Sequence, residues 1–353
     1  MLFVLALGAA IWGLGHLMGA SRRQRWLLLL LLYIMVVLVN LTLPEGASLR
    51  QATGGSAAGW LILGGFAAMV WGYRALLSRI RNRARPASVP QTPKGTFSET
   101  ELERYARHIV LREVGGPGQK ALKHARVLVL GAGGLGAPAL QYLAAAGIGT
   151  IGIVDDDEVE LSNLHRQVIH TDARTGMPKV FSAEVALRAL NPHIDVLPYH
   201  RRFDDSVARD LVADFDVILD GTDNFDTRYL ANRVAAELGK PLISGALSQW
   251  EGQLSVFDPA QGGPCYECIF PTRPAPGLAP SCAEAGVVGT LPGVVGAMMA
   301  NEAIKLITGA GASLRGDMLI YDALYGETRK VHLHRRDDCP VCGAGTVPRQ
   351  HIA

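Results

Sequence analysis

Four cysteines arranged as two Cys-x-x-Cys pairs place the strongest single constraint on how this chain folds. The first pair is Cys265 and Cys268, and the second is Cys339 and Cys342. Two such pairs supply four thiolates at the spacing of a tetrahedral zinc site, and four protein ligands leave no position for a substrate. We therefore expect a structural Zn²⁺ that ties the segment near Cys265 to the C-terminal part of the chain.

Three long apolar segments occupy the first 80 residues, at about 2–20, 26–43 and 57–77. Each has roughly the length of apolar chain that crosses a bilayer as a helix. A cleaved signal peptide is the alternative for the first segment, but its positive charge should precede the apolar stretch, and here the arginines follow it. The first segment is also rich in glycine, so a re-entrant helix is a second alternative. We predict about three transmembrane helices in a membrane module, residues 1–80, in contact with lipid.

Arginines flank these segments asymmetrically. Three arginines lie in residues 22–25, between the first two segments, and five lie in residues 74–85, after the third. In the loop 44–56, Arg50 is the only Lys or Arg. Cytoplasmic loops carry an excess of Lys and Arg. The pattern predicts a multi-pass protein of the cytoplasmic (inner) membrane, with its N-terminus outside and everything after Arg85 in the cytoplasm.

The charge of the rest of the chain differs from that of the membrane module. Residues 1–97 contain ten Lys and Arg and one acidic residue, which leaves 24 basic and 31 acidic residues for 98–353, a formal charge of −7. A nucleic-acid-binding domain is normally basic, so no nucleic-acid partner is expected. The cytoplasmic location also makes disulfides unfavourable and supports metal as the partner of the paired cysteines.

The remaining chain divides by composition. Residues 81–97 are basic and contain prolines, as a linker does, and residues 346–353 form a short tail. Between them, 98–345 is expected to be one globular domain with the zinc site. Its start is marked by Ser98-x-x-Glu101, which has the form of a capping box at the beginning of a helix.

A glycine-rich turn follows the first strand expected in this domain. A short strand of the buried type is expected at 125–130 and runs into Gly-Ala-Gly-Gly-Leu-Gly, and a helix is expected to begin near Pro138. Glycines let the backbone approach a ligand, and a helix N-terminus offers free N–H groups to phosphate. Asp155 ends a second strand roughly 20 residues after the glycine turn, the sequence position at which a carboxylate can bind ribose hydroxyls. The pattern predicts an α/β fold with a Rossmann-like doubly wound sheet, and taken alone it also fits a nicotinamide-dependent oxidoreductase. The predicted nucleotide-binding residues here are Gly131, Gly133, Gly134, Gly136 and Asp155.

The polar residues that follow indicate phosphate chemistry rather than hydride transfer. The stretch Ser-Asn-Leu-His-Arg-Gln occupies 162–167, and Lys179 opens the next predicted helix. A later strand delivers Asp-Gly-Thr-Asp-Asn at 220–224, with Arg228 one turn into the following helix. Cations on phosphate oxygens and a carboxylate on Mg²⁺ are what phosphate transfer requires. A solvated surface charge is the alternative for each of these residues, above all for Arg228.

Taken together, the glycine turn, the 162–167 stretch, the Thr-Asp-Asn motif and the paired cysteines resemble the ubiquitin-activating-enzyme-like adenylyltransferases of bacteria. The similarity extends from about Ser98 to Cys342 and is greatest to the molybdopterin-synthase and thiamine sulfur-carrier adenylyltransferases. It implies ATP-dependent adenylation of the C-terminal glycine of a ubiquitin-like sulfur-carrier protein, in the molybdopterin pathway first and the thiamine pathway as the alternative. A membrane-tethered nicotinamide-binding reductase or sensor is the alternative from another class.

The resemblance also implies roles for individual residues and cofactors. Asp155 would bind the ribose, Asn163 and Arg166 the nucleotide and its phosphates, and Lys179 a phosphate. Asp223, with Asn224 beside it, would hold Mg²⁺. The implied cofactors are ATP, Mg²⁺ and the structural Zn²⁺.

Two further residues are singled out by the resemblance. Arg107 occupies the position of an arginine that reaches into the ATP site of a partner subunit, which implies a homodimer; His108 stands where glutamine is usual. Cys282 lies beyond a proline-rich stretch and resembles a loop cysteine that, in some branches, links covalently to the carrier, although a loop residue without function is the alternative. The membrane segments depart from the family, and because no sulfurtransferase-like domain follows Cys342, we expect a separate sulfur donor.

Overall fold

A computed structural model of the chain describes residues 2–18, 22–84, 96–274 and 285–343. The chain forms two compact units, Met1–Thr92 and Pro93–Ala353. Each unit has its own buried residues and is described separately.

The N-terminal unit is helical. Val4, Val36 and Trp60 form its small buried core. The Tyr33 hydroxyl donates to the Trp60 carbonyl at 2.8 Å, and the Trp60 indole N–H donates to the Thr53 carbonyl at 2.9 Å. The first bond joins the second and fourth helices, and the second joins the fourth helix to the residue that follows the third. The helices are α1 Leu2–Leu17, α2 Arg22–Thr42, α3 Ser48–Ala52 and α4 Ala57–Ala84.

Helices therefore lie at all three predicted membrane segments, but they differ in length and hydropathy. Among the described residues one helix is long and apolar enough to cross a membrane, Gln24–Thr42, with 19 residues and a mean hydropathy of 2.1. The apolar helix Ala6–Leu17 is shorter than a span. The second segment thus matches a membrane helix on length and hydropathy.

The second unit is built on one sheet of eight strands in the order β3-β2-β1-β4-β5-β6-β7-β8. The first five strands are parallel, and β6, β7 and β8 continue the sheet in antiparallel pairs. This confirms the α/β, Rossmann-like expectation, to which the structure adds an antiparallel extension. The strands are β1 Arg126–Leu130, β2 Thr150–Asp155, β3 Asp195–His200, β4 Val217–Asp220, β5 Leu242–Leu247, β6 Glu251–Phe257, β7 Asp317–Asp322 and β8 Glu327–His332.

Helices cover both faces of the sheet because the central strands are apolar on both sides. From β1, Val127 and Val129 pack with one set of helices, α6, α7, α8 and α12. Leu128 and Leu130 point to the opposite face and pack with α9 and α10. The helices of this unit are α5 Glu99–Ile109, α6 Gly115–His124, α7 Gly136–Ala146, α8 Lys179–Leu190, α9 Ala208–Ala213, α10 Phe225–Glu237, α11 Tyr266–Ile269 and α12 Leu291–Thr308.

Local signals at two helix starts can be compared with the structure. The capping box is confirmed: the Ser98 hydroxyl accepts from the Glu101 N–H, and the Glu101 carboxylate accepts from the Ser98 N–H at 2.9 Å. The expected helix start near Pro138 is two residues late, since α7 begins at Gly136. There a Cβ atom would lie 1.8 Å from the Gly131 carbonyl oxygen, so the turn closes directly onto the helix.

Candidate active site

A cavity of about 1030 Å³ opens at the carboxyl ends of the parallel strands. β1 lies between β2 and β4, and the strand order reverses between β1 and β4. Ligands of open α/β sheets bind in the crevice at such a switch point. The register brings the strand ends together, because Leu130 pairs with both Val154 and Asp220. The cavity wall contains nine of the predicted nucleotide-site residues, namely Gly131, Gly133, Gly134, Asp155, Asn163, Arg166, Lys179, Asp223 and Asn224.

The glycine turn forms one wall of this cavity. Gly131 has a φ of +88°, in the left-handed region that glycine alone adopts easily. A Cβ at Gly133 would meet nothing nearer than the Gln167 amide nitrogen at 3.6 Å. Gly136, although predicted with the others, is not part of the cavity wall. Its role in the described structure is to let the turn close.

Asp155 reaches from the end of β2 to the glycine turn. Its carboxylate accepts from the Ala132 N–H at 2.7 Å and from the Asp157 N–H at 2.9 Å. Burial raises the pKa of the Asp155 carboxyl above its ordinary value, against the opposing effects of the Lys179 ammonium and these hydrogen bonds. The carboxylate therefore braces the turn as well as facing the cavity.

Lys179 stands at the first position of α8 with its side chain buried. Its ammonium lies 2.7 Å from a carboxylate oxygen of Asp157, a residue that the sequence did not single out. The Asp157 side chain is 67% exposed, whereas that of Lys179 is 6% exposed. A phosphate oxygen entering the cavity would replace or share this exposed carboxylate as the partner of the lysine.

The stretch 162–167 folds back on itself beside the turn. One guanidinium nitrogen of Arg166 donates to the Asn163 side-chain oxygen at 2.9 Å, and the other lies 3.0 Å from a ring nitrogen of His165. Asn163 and Arg166 are therefore held together on the cavity wall, as the resemblance implied. Gln167 also lines the cavity, and its side-chain oxygen is buried without a hydrogen-bond partner in the described part of the chain. The only sequence signal for it was its position after Arg166.

Arg228 is neither a solvated surface charge nor a freely available cation. It is buried, and its Nε lies 3.1 Å from the fully buried carboxylate of Asp220. The same guanidinium donates to the carbonyls of Thr222 at 2.6 Å and Gly245 at 2.8 Å. Arg228 thus fixes the loop after β4 against β5. Local sequence could not reveal this, because Gly245 comes from a later strand.

The loop held by Arg228 presents Asp223 and Asn224 to the cavity. Asp223 is exposed, so its carboxylate is accessible to a cation. Oxygen ligands of this kind suit Mg²⁺. The side-chain oxygen of Asn224 accepts from the N–H groups of Asp226 and Thr227 and so caps α10. Asn224 therefore has a structural role in addition to its place on the wall.

Arg107, like Gly136, is a predicted site residue that is not part of the cavity wall of this chain. Its side chain is exposed in the last turn of α5, and its predicted role in a second copy stays a prediction. A ring nitrogen of His108 lies 3.2 Å from the side-chain oxygen of Gln119. Cys282 lies outside the described residues, so its predicted covalent role stays a prediction.

The four paired cysteines come together although two of them are more than 70 positions downstream. Their sulfur atoms all lie within 4.8 Å of one another, and three of the separations are 3.9, 3.6 and 3.3 Å. A zinc tetrahedron with Zn–S bonds of about 2.3 Å has S–S edges of about 3.8 Å, so the set fits the ion. All four are buried and none forms a disulfide.

Protonation of the thiols supports a cation at this cluster. Hydrogen bonding from Cys265 lowers the pKa of Cys342, whereas burial raises the pKa of Cys268. Without a compensating charge the cluster cannot hold four thiolates at neutral pH. A divalent cation supplies that charge, and with all four ligands from the protein its role is structural.

Comparisons with known proteins agree with this site. The model described as the ThiF family matches residues 105–341. A sulfur carrier protein adenylyltransferase of Thermus thermophilus is 49% identical over 260 residues, which cover 72% of this chain and 96% of the relative. The SAMP-activating enzyme E1 of Haloferax volcanii is 50% identical over 252 residues, 71% of this chain and 93% of the relative.

Other matches are partial or concern the fold. The adenylyltransferase and sulfurtransferase MOCS3 of Sus scrofa is 46% identical over 262 residues, and this chain spans 57% of its length. Among solved structures, MccB of E. coli with MccA-N7isoASN has a TM-score of 0.61 at 23% identity, covering 68% of this chain and 74% of MccB. At that identity the likeness concerns the fold.

Proposed function

Because the chain belongs to the ThiF family, we propose that it is an adenylyltransferase that uses ATP to activate a ubiquitin-like sulfur-carrier protein. The observation that carries this proposal is the match over nearly the full length of an adenylyltransferase that is named for a sulfur carrier. The cavity supports it, since the residues that family resemblance assigns to ATP converge there. The named relatives give no support to a nicotinamide-dependent reductase.

The reaction places few chemical demands on the protein. A carboxylate oxygen at the C-terminal glycine of the carrier attacks the α-phosphorus of ATP. The bond from that phosphorus to the oxygen bridging the β-phosphate breaks, and pyrophosphate leaves with the electron pair. An acyl-adenylate remains for a sulfur donor to attack. Since a carboxylate is already deprotonated at neutral pH, no general base is needed, and catalysis consists of positioning and charge neutralisation.

The cations on the cavity wall match these demands. Lys179 and Arg166 each have an accessible partner that a phosphate oxygen can replace, Asp157 for the lysine and Asn163 for the arginine. Asp223 would hold Mg²⁺, which neutralises phosphate charge when bound. Asp155 would bind the ribose from the end of β2, where its second role is to brace the glycine turn.

The active unit is proposed to be a homodimer. Arg107 is exposed and outside the cavity of its own chain, which supports a role in the site of a second copy. Each site would then combine Arg166, Lys179 and Asp223 from one subunit with Arg107 from the other. The carrier is proposed to be the small subunit of molybdopterin synthase, with the thiamine-pathway carrier as the alternative.

Residues 1–80 are proposed to anchor the enzyme by about three spans in the cytoplasmic membrane. Several apolar side chains on α2 are exposed in this unit: Leu27 is 59% exposed, Leu30 57% and Leu38 53%. Lipid would cover such a surface. The arginine clusters support a catalytic unit on the cytoplasmic side, and the proposed use of ATP and of a cytosolic carrier requires the same side.

The proposal is tested by exchange of labelled pyrophosphate into ATP. We expect exchange to depend on a carrier with an intact C-terminal glycine. A carrier lacking that glycine is the matched control and should give none. If the full-length enzyme exchanges no pyrophosphate with either candidate carrier, the proposed substrate class is wrong.

A further inference from the structure

His170 is a buried histidine next to the nucleotide cavity but not part of its wall. Its Nε2 lies 2.9 Å from the carbonyl oxygen of Ala132, inside the glycine turn. Its Nδ1 lies 2.9 Å from the hydroxyl of Ser182, on α8. The imidazole therefore spans the space between the turn and the helix that begins with Lys179.

The two partners select one form of the ring. A carbonyl oxygen only accepts, so Nε2 must carry the proton, and Nδ1 then accepts from the Ser182 hydroxyl. Burial lowers the pKa of His170 to about 4, and the nearby charges of Lys179 and Arg174 act in the same direction. The ring is thus neutral near pH 7, and a single tautomer satisfies both contacts.

The Ala132 residue is held on both sides. Its N–H donates to Asp155 at 2.7 Å, and its carbonyl accepts from His170. In a planar trans peptide the carbonyl and the following N–H point in opposite directions. Because the Ala132 carbonyl is directed at His170, away from the cavity, the N–H of Gly133 is turned towards the cavity that Gly133 lines.

The α8 side of this contact is fixed as well. Ser182 is fully buried and lies one turn after Lys179. Arg174 donates to the carbonyls of Ser182 and Ile169, which ties the segment carrying His170 to α8. A shift of the ring would therefore move the turn relative to the helix that carries the phosphate-binding lysine.

We propose that His170 is a positioning residue that fixes the Ala132–Gly133 peptide so that the Gly133 N–H faces the phosphates of the nucleotide. The inference rests on the proposed use of ATP. His170 itself touches neither the nucleotide nor the reacting atoms. It acts through the backbone of the turn.

A matched pair of neutral variants separates the two ring contacts. In His170→Gln the side-chain amide nitrogen can take the place of Nε2 and donate to Ala132. In His170→Asn the shorter amide reaches only the place of Nδ1, so the donor to Ala132 is lost. Binding of ATP and of adenosine to the full-length protein, measured by calorimetry, reports on phosphate and nucleoside contacts separately.

We expect His170→Asn to weaken ATP binding by about tenfold and adenosine binding by less than about twofold. His170→Gln should stay within about threefold of wild type for both ligands. Wild-type ATP affinity in His170→Asn, equal losses for ATP and adenosine, or equal losses in both variants would each overturn the inference. Failure of the wild-type protein to bind ATP would instead contradict the proposed function.

Discussion

Gly133 and Gly136, three positions apart in the nucleotide turn, have different surroundings. A Cβ at Gly136 would lie 1.8 Å from the Gly131 carbonyl oxygen, whereas one at Gly133 would have no contact closer than 3.6 Å. The sequence motif predicts that both glycines belong to the nucleotide site but does not distinguish their roles. The structure assigns Gly136 to closure of the turn and leaves Gly133 free for a ligand.

The first prediction uses this difference. Gly136→Ala should destabilise the fold by about 3 kcal/mol, because backbone must move to admit the methyl group. Gly133→Ala should melt close to wild type but bind ATP at least about tenfold more weakly, since its methyl group occupies ligand space. Thermal unfolding and calorimetry of the two variants provide the check. A stable Gly136→Ala protein, or full ATP affinity in Gly133→Ala, would refute these assignments.

Some residues of the site could be predicted from the sequence alone, and others could not. Asp155 and Lys179 were predictable because each occupies a fixed position after a strand or at the start of a helix. The ion pair of Arg228 with Asp220 was not, since its geometry depends on β5. The part played by His170 depends on Ser182 and Ala132, which only the folded chain brings to it.

At the scale of elements, the parallel strands were easier to predict than the antiparallel ones. β1 is apolar and buried on both faces, which is the pattern of a central parallel strand. In β8 all six residues are exposed, so no alternation of apolar and polar residues marks it as a strand. β8 is held in the sheet by its antiparallel pairing with β7 rather than by burial of its side chains.

The second prediction concerns the zinc site, in which Cys265 and Cys268 at helix α11 meet Cys339 and Cys342 from the C-terminal part of the chain. We expect purified protein to contain about one Zn²⁺ per chain, because the four sulfur atoms fit its tetrahedron. Cys339→Ser should lose the metal and lower the melting temperature, since metal binding is coupled to folding. Metal analysis by mass spectrometry and thermal unfolding test both points. Freshly purified protein without zinc would contradict the assignment, and Cys282→Ser, at the one cysteine of the sequence that belongs to neither Cys-x-x-Cys pair, is the matched control.

At the scale of the whole molecule, the third prediction concerns shared active sites. Arg107→Ala and Asp223→Ala should each abolish pyrophosphate exchange. If Arg107 acts in the partner's site, a mixed dimer of the two variants contains one complete site and should recover roughly half of the wild-type exchange. Co-expression with two affinity tags isolates the mixed dimer. No recovery would mean that Arg107 acts within its own chain, and pyrophosphate exchange by Arg107→Ala alone would mean that the residue has no part in the reaction.

The fourth prediction concerns topology. A reporter that is active only outside the cytoplasm should be active when fused after Ser48 and inactive when fused after Arg85. The reverse pattern would contradict the proposed orientation, and activity at both positions would show that the third segment does not span. Removal of residues 1–90 should release a dimer that still adenylates its carrier, since none of the wall residues precedes Leu130.

The mass of the carrier after incubation with the enzyme and ATP tests the proposed activity directly. We expect the intact carrier to gain one AMP at its C-terminal glycine, with one pyrophosphate released per carrier modified. A carrier without that glycine, and the Asp223→Ala enzyme, should give no such product. An unmodified carrier in the presence of active, ATP-bound enzyme would contradict the central claim that this chain is a carrier-adenylating enzyme.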